Sequence, residues 1–313
     1  MTLAAAQTGG MESLVLPIRP CFLDFETTGL DPARDQVLEV GLRGGRVLDA
    51  LVSDASPACE EALRVHGLSA AHCRTHGRPS AEVLRDLLAA LGPGPVEVVA
   101  HRAAFEQAFL EAWAAREGAT LPEIHWRCAL TFARRLVPSA PFSLGLGHLA
   151  TLLGWSTAGL HRAGTDALLA ARLWEALTAW AQVKGTLGVH PGITYLAGPF
   201  RGDGSRRCMR GNLGRMVRLA RWAQAVLPNA VLVIPHLNFA YLDEAGQGGR
   251  QVREQVLAAC GTLVRASRSL ILCGDSLTHG MRREHEAALA SGVQVFRVPG
   301  WDAPAGPSAG ATA

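Results

Sequence analysis

The chain has 313 residues, 49% of them hydrophobic and 18% charged, which is enough length and apolar material for two domains. No uninterrupted apolar run reaches the roughly 18 residues of a bilayer-spanning helix, so no membrane partner is expected. The net charge of +3 is unevenly spread: residues 16–182 hold 15 arginines against 18 acids, and residues 183–313 hold 15 basic side chains against 8 acids.

The first half opens on an apolar stretch ending in Cys21-Phe22-Leu23-Asp24-Phe25-Glu26, a strand by composition. Val37–Leu42 and Arg46–Val52 follow as strands around Gly44-Gly45, a two-residue hairpin signal. Ser80 is expected to cap an amphipathic helix, 81–91. Gly92-Pro93-Gly94-Pro95 ends it, and Val96–Ala100 is a short buried strand. Helical patterns then cover 103–117, 129–136, 144–153 and 165–181. Strands first and α/β alternation later predict a mixed sheet covered by helices.

Three glycines and a proline in residues 183–192 read as an interdomain linker. Beyond it the pattern restarts with strands at 193–197, 230–234, 269–273 and 293–298. Helices at 206–226, 251–266 and 281–290 lie between them. That alternation predicts a small doubly wound parallel sheet, Rossmann- or flavodoxin-like. Residues 1–15 and 303–313, rich in small residues, are expected to be disordered. Seven scattered cysteines contain no C-x-x-C pair, which argues against a disulfide framework or a zinc site and for a reduced, cytoplasmic chain.

Asp24 and Glu26 stand two apart on a strand, so their side chains share one face. Carboxylates so placed repel unless a cation lies between them. The strand ends in Thr27-Thr28-Gly29-Leu30, at the end of the sheet where α/β proteins bind ligands. Two further segments bring acids to helix starts. His101-Arg102-Ala103-Ala104-Phe105-Glu106 leads from a strand into a helix, and His161-Arg162-Ala163-Gly164-Thr165-Asp166 opens a long one. The helix dipole alone favours an acid in a first turn, so each has a structural explanation by itself. In this order and spacing the set is far more specific.

Together these motifs resemble the DEDDh, DnaQ-like 3′→5′ exonucleases, whose members include proofreading subunits of bacterial polymerases. The resemblance covers residues 16–182, with Trp126–Leu130 and 143–153 resembling the family's connecting helices. It implies an RNase H-like domain in which Asp24, Glu26, Glu106 and Asp166 hold two divalent ions roughly 4 Å apart. Hard oxygen ligands imply Mg²⁺ or Mn²⁺. His161 becomes the general base, a task that suits imidazole, whose ordinary pKa is near 6.5. Thr27, Thr28, Gly29 and Leu30, with His101 and Phe105, would seat the substrate. The implied partner is the 3′ end of a single-stranded nucleic acid, with DNA placed ahead of RNA. Two departures stand out: Arg102 replaces the family's usual Asn, and Glu106 its usual Asp. An alternative is therefore a catalytically weakened nucleic-acid-binding protein.

In the second half, Tyr195-Leu196-Ala197-Gly198-Pro199-Phe200-Arg201-Gly202 runs from a strand into a loop. Pro235-His236-Leu237-Asn238 and Gly274-Asp275-Ser276-Leu277-Thr278-His279-Gly280 follow later strands, with Glu284 on the next helix. This combination resembles the nucleoside 2-deoxyribosyltransferase-like superfamily over residues 193–298, with Thr278 in place of a serine. The resemblance implies a site built from Tyr195, Gly198, Arg201, His236, Asn238, Asp275, Thr278, Gly280 and Glu284. Glu284 would be the nucleophile toward a deoxynucleotide. A nucleotide-binding module without catalysis is the other reading, and an N-glycosidase targeted by the first domain a third.

Overall fold

The computed structural model describes residues 20–200, 202, 205–243 and 249–299. The expectations for residues 1–15 and 303–313, and for Arg201, lie outside these residues.

The chain begins with β1 (Cys21–Thr27), β2 (Val37–Arg43) and β3 (Leu48–Leu51), then three helices, α1 (Glu60–His66), α2 (Ala70–His76) and α3 (Ser80–Leu91). β4 (Val96–Ala100), α4 (Ala103–Glu117) and β5 (Ile124–Cys128) complete a five-stranded sheet of order β3-β2-β1-β4-β5. β1–β2 and β2–β3 pair antiparallel, and β4 and β5 join in parallel. This is the mixed sheet expected from the sequence. α5 (Ala129–Leu136), α6 (Leu146–Leu152) and α7 (Ala163–Leu187) follow.

β1 is covered on both faces, which explains its nearly continuous burial. Cys21, Leu23 and Phe25 enter the core under α3 and α4, whereas Phe22 enters the core around α7. Asp24 and Glu26 alternate with the first set and therefore face α7. On β2, Glu39 and Gly41 share that face. A Cβ at Gly41 would overlap the backbone of Ala163 and Gly164, so the start of α7 lies directly on the strand.

The second unit comprises β6 (Ile193–Ala197), α8 (Arg206–Val226), β7 (Val231–Val233), α9 (Pro235–Asp243), α10 (Gly249–Arg265), β8 (Ser269–Cys273), α11 (His279–Ala290) and β9 (Gln294–Val298). Its four strands are all parallel, in the order β7-β6-β8-β9. Tyr195, Leu270 and Leu272 pack with residues of α10 and α11 on one face, while Leu196, Ile271 and Cys273 join α7 and α8 on the other. Covering both faces is what a parallel sheet requires. One core runs from Phe22 and Val99 through α7 to Trp222 and Val298, so the two sheets share the long helix.

Several local expectations are corrected. Residues 183–187 are helix rather than linker, because Val183 and Leu187 are buried in the shared core. Gly44 and Gly45 do take positive φ, 83° and 76°, but pairing closes at Leu42–Leu48, so the turn exceeds two residues. Ser80 is the first helical residue and not the cap. Its N–H is taken by Asp54 Oδ1 at 2.8 Å, while its hydroxyl accepts from Trp113 Nε1. Trp126–Cys128, read with the connecting helices, pair as edge strand β5. Pro235–Asn238 begin a helix, so β7 is followed by two helices before β8. No helix among the described residues is long and apolar enough to cross a membrane.

Candidate active site

Three elements bring the expected acids together. β1 presents Asp24 and Glu26, the first turn of α4 presents Glu106, and the first turn of α7 presents Asp166. Asp24 is half-buried and the other three are nearly or fully buried. Oxygens of Glu26 and Asp166 and a ring nitrogen of His161 all lie within 4.8 Å of one another.

The electrostatics follow from crowding like charges where water is scarce. Burial holds Asp24 well above the ordinary carboxylate range, and Glu106, Asp166 and Glu26 push it the same way. Glu26 is pushed up to about 8, by burial first and then by Asp166 and Glu39, with Arg162 opposing. Burial also lifts Glu106 to about 8 and Asp166 to about 6. Two buried oxygens, Glu106 Oε2 and Asp166 Oδ1, have no hydrogen-bond partner. Unpaired hard oxygens among mutually repelling carboxylates fit a divalent cation of the Mg²⁺ or Mn²⁺ type.

His161 is exposed and is the one non-glycine residue with positive φ, 63°, among those described. Such a conformation costs about 1–3 kcal/mol and persists only where the surroundings impose it. Its N–H reaches Asp166 Oδ2 at 3.3 Å.

The turn after β1 is tied down from several directions. Thr27 Oγ1 donates to the Gly29 carbonyl at 2.6 Å, and Thr28 Oγ1 donates to Asp35 while accepting the Gln36 N–H. Leu30 projects from this turn, 84% exposed. His101 is buried at the end of β4, its ring nitrogens without a well-formed hydrogen bond. Burial lowers it to about 4, so the ring is neutral near pH 7. Phe105 is half-buried against Phe109, ring centroids 4.6 Å apart. Arg102 is exposed, and its charge opposes the rise in the Glu106 pKa.

Sequence reading missed Glu39 and His66. Glu39 is 5% exposed and is paired with Arg162; its only signal was an acid inside the apolar run 37–42. His66 Nδ1 accepts the Leu68 N–H at 2.9 Å, so Nε2 carries the proton and donates to the Thr27 carbonyl at 3.2 Å. The short helix α1 thus pins the end of β1.

The second unit gathers another set of groups around a cavity of about 390 Å³. Gly198, His236, Thr278, Gly280 and Glu284 line it. Tyr195, buried behind, donates from Oη to Glu284 Oε1 at 2.7 Å. Burial pushes Glu284 up to about 7, with Tyr195 and Cys260 pulling it down. Cys260, which also lines the cavity, was not anticipated. His236 Nε2 donates to the Gly198 carbonyl at 2.8 Å, leaving Nδ1 unprotonated and without a partner. Asn238 and Asp275 are exposed and do not line the cavity.

The mixed sheet and its acidic cluster define the class of the first unit, a nuclease domain. Residues 21–174 match the family described as Exonuclease, RNase_T, and form an exonuclease domain of RNase H-like fold. Residues of this domain are similar to the PolC-type DNA polymerase III of Thermotoga maritima, 29% identical over 158 residues. The corresponding protein of Thermotoga petrophila is 30% identical over 158 residues. The match takes in 49% of this chain but only 11% of either polymerase. Among solved structures, E. coli exonuclease I in complex with a dA16 oligonucleotide aligns at 15% identity and TM-score 0.46, covering 54% of this chain and 41% of that one. The zinc-bound form of that enzyme with single-stranded DNA gives TM-score 0.45 at the same identity and coverage.

Proposed function

We propose that the chain is a metal-dependent 3′→5′ exonuclease of the DEDDh type, acting on single-stranded nucleic acid with DNA preferred to RNA. The observation that carries this reading is the convergence of Asp24, Glu26, Glu106 and Asp166 beside His161. The four carboxylates would hold two Mg²⁺ or Mn²⁺ ions. Bound there, divalent ions lower the pKa of water and neutralise charge on the leaving oxygen. His161 accepts a proton from the attacking water as the new O–P bond forms. The bond from phosphorus to the 3′ oxygen breaks, releasing a nucleoside 5′-monophosphate. Thr27–Leu30, His101 and Phe105 seat the terminal nucleotide, with exposed Leu30 against its base. Similarity to PolC-type DNA polymerases supports DNA as the substrate.

Degradation of a 5′-labelled single-stranded DNA and a matching RNA in Mg²⁺, Mn²⁺ or EDTA tests the reading. A ladder shortening from the 3′ end is expected, lost in EDTA and in Asp166→Ala. Intact substrate under every metal condition would leave a nucleic-acid-binding protein.

In this reading the chemistry divides into an exonuclease at 16–182 and a second site at 193–300. The Tyr195–Glu284 pair at the cavity favours a second activity of the nucleoside 2-deoxyribosyltransferase-like type. The Glu284 carboxylate attacks the anomeric carbon of a deoxynucleotide, the bond to the base breaks, and water then releases the sugar. Incubating the full chain with deoxynucleoside 5′-monophosphates tests it. Free base should form with wild type and Asp24→Ala but not with Glu284→Ala; neither base nor binding would remove the reading.

A further inference from the structure

We propose that Glu39 and Arg162 form a positioning clamp that sets His161 and Asp166 for the nuclease reaction. The inference rests on the exonuclease reading and adds two residues to it.

The helix α7 begins without a cap of its own: Arg162, at the N-cap position, makes no side-chain capping hydrogen bond. The missing acceptor comes from β2. Glu39 Oε2 accepts the Ala163 N–H at 3.0 Å. The same carboxylate takes Arg162 Nε on both oxygens, at 3.0 and 3.1 Å, and Arg162 Nη2 on Oε1 at 2.5 Å. Both oxygens are thus occupied, which separates Glu39 from the neighbouring acids that have a free oxygen. A planar guanidinium gripped in this way fixes orientation as well as position.

Two further observations make the clamp a device for the site. Glu39 is the cross-strand partner of Glu26, so it stands beside the cluster without being available to it. Gly41, on the same face of β2, admits the backbone of Ala163 where any side chain would collide. With the start of α7 pressed onto the strand, the residue before Arg162 must turn sharply. His161 does so in the left-handed region, and its N–H returns to Asp166. The clamp therefore holds the strained turn that brings the imidazole to the carboxylates.

The test uses the full chain and the variants Glu39→Gln, Arg162→Lys, Arg162→Gln and the double Glu39→Gln/Arg162→Gln. Hydrogen exchange is measured on peptides spanning 161–167 and, as a reference, 96–110; turnover of 5′-labelled single-stranded DNA is measured alongside. Faster exchange confined to 161–167 is expected in each variant, with kcat down roughly 10- to 100-fold and KM nearly unchanged. Arg162→Lys, which keeps the charge but not the fork, should fall with the others, and the double variant should be no worse than the poorer single one. Unchanged exchange at 161–167 would overturn the clamp, as would faster exchange with unaltered kcat. Should Glu39→Gln fail to fold, the Arg162 variants, altered at a half-exposed side chain, carry the same test. If wild type itself shows no nuclease activity, the exonuclease reading fails, and the clamp then stands or falls on the exchange at 161–167 alone.

Discussion

Glu106 and Asp166 approach the β1 carboxylates from the first turns of two different helices, and each keeps one buried oxygen without a hydrogen-bond partner. Neither helix needs its acid to be so deeply placed for capping alone, since the dipole effect is available at the surface. The cluster therefore stores repulsion that a bound cation would relieve.

Relief of that repulsion should be visible without any substrate. Mg²⁺ or Mn²⁺ should raise the melting temperature of wild type, because a ligand that binds only the native state stabilises it. Asp24→Asn removes a group whose ionisation is disfavoured by burial and by the neighbouring acids, so it should melt higher than wild type in EDTA near neutral pH yet gain much less from metal. Calorimetry with and without EDTA checks both signs. Equal melting of the two proteins in EDTA would contradict the electrostatic account.

Glu106 tests how the site tolerates a longer side chain. The carboxylate sits one methylene further from its helix than an aspartate would, and it reaches the cluster. Glu106→Asp should keep activity within about tenfold of wild type, since a rotamer change costs only about 1 kcal/mol. Glu106→Gln, which removes the charge at nearly the same size, should lose 100-fold or more, by analogy with other electrostatic deletions in active sites (about 10²–10³). Single-turnover rates in Mg²⁺ and Mn²⁺ make the comparison; a Gln variant as fast as wild type would take Glu106 out of the site.

The four carboxylates expected to converge in the first unit were readable because each lies in a short local signal: an acid pair on a strand, or an acid one turn into a helix. Glu39 was not. Within Val37–Leu42 it looks like an exception in a buried strand, and its partner Arg162 is 123 residues away. β5 was misread because it is an edge strand only partly buried, continuing without a break into α5. The linker was inferred from glycines, yet Gly185 sits inside α7, where the buried Trp180, Val183 and Leu187 hold the helix together. In the second unit the strands were legible from apolar runs, while α9 was hidden by a Pro-initiated segment that also reads as a loop.

The second site should impose its own pH dependence. Glu284 stands at about 7 in the folded chain because of burial, against about 4.3 in an unfolded one. The native state holds this proton more tightly, so the contribution to stability is complete below about pH 4.3 and is lost as the pH rises through about 7. A shift of that size is worth about 4 kcal/mol. Glu284→Gln, neutral at every pH, should match wild type near pH 4 and exceed it by pH 8. Denaturation of both proteins across that window cancels the titration of the first site. A difference that stays flat with pH would show that Glu284 is not held in its protonated form.

Gly41 is the last and simplest case, since it separates backbone packing from charge. Any side chain there meets the Ala163 carbonyl group and the Gly164 nitrogen, all of them backbone atoms that cannot swing aside. Gly41→Ala should therefore push the first turn of α7 off β2, destabilising the chain by about 3 kcal/mol, at the upper end of ordinary overpacking. Because Glu39 and Arg162 would be separated by the same movement, Glu39→Gln should cost little more in that background than the alanine alone. Urea unfolding of the two singles and the double decides it. Fully additive losses would mean that the strand and the start of the helix are held together by something other than this contact.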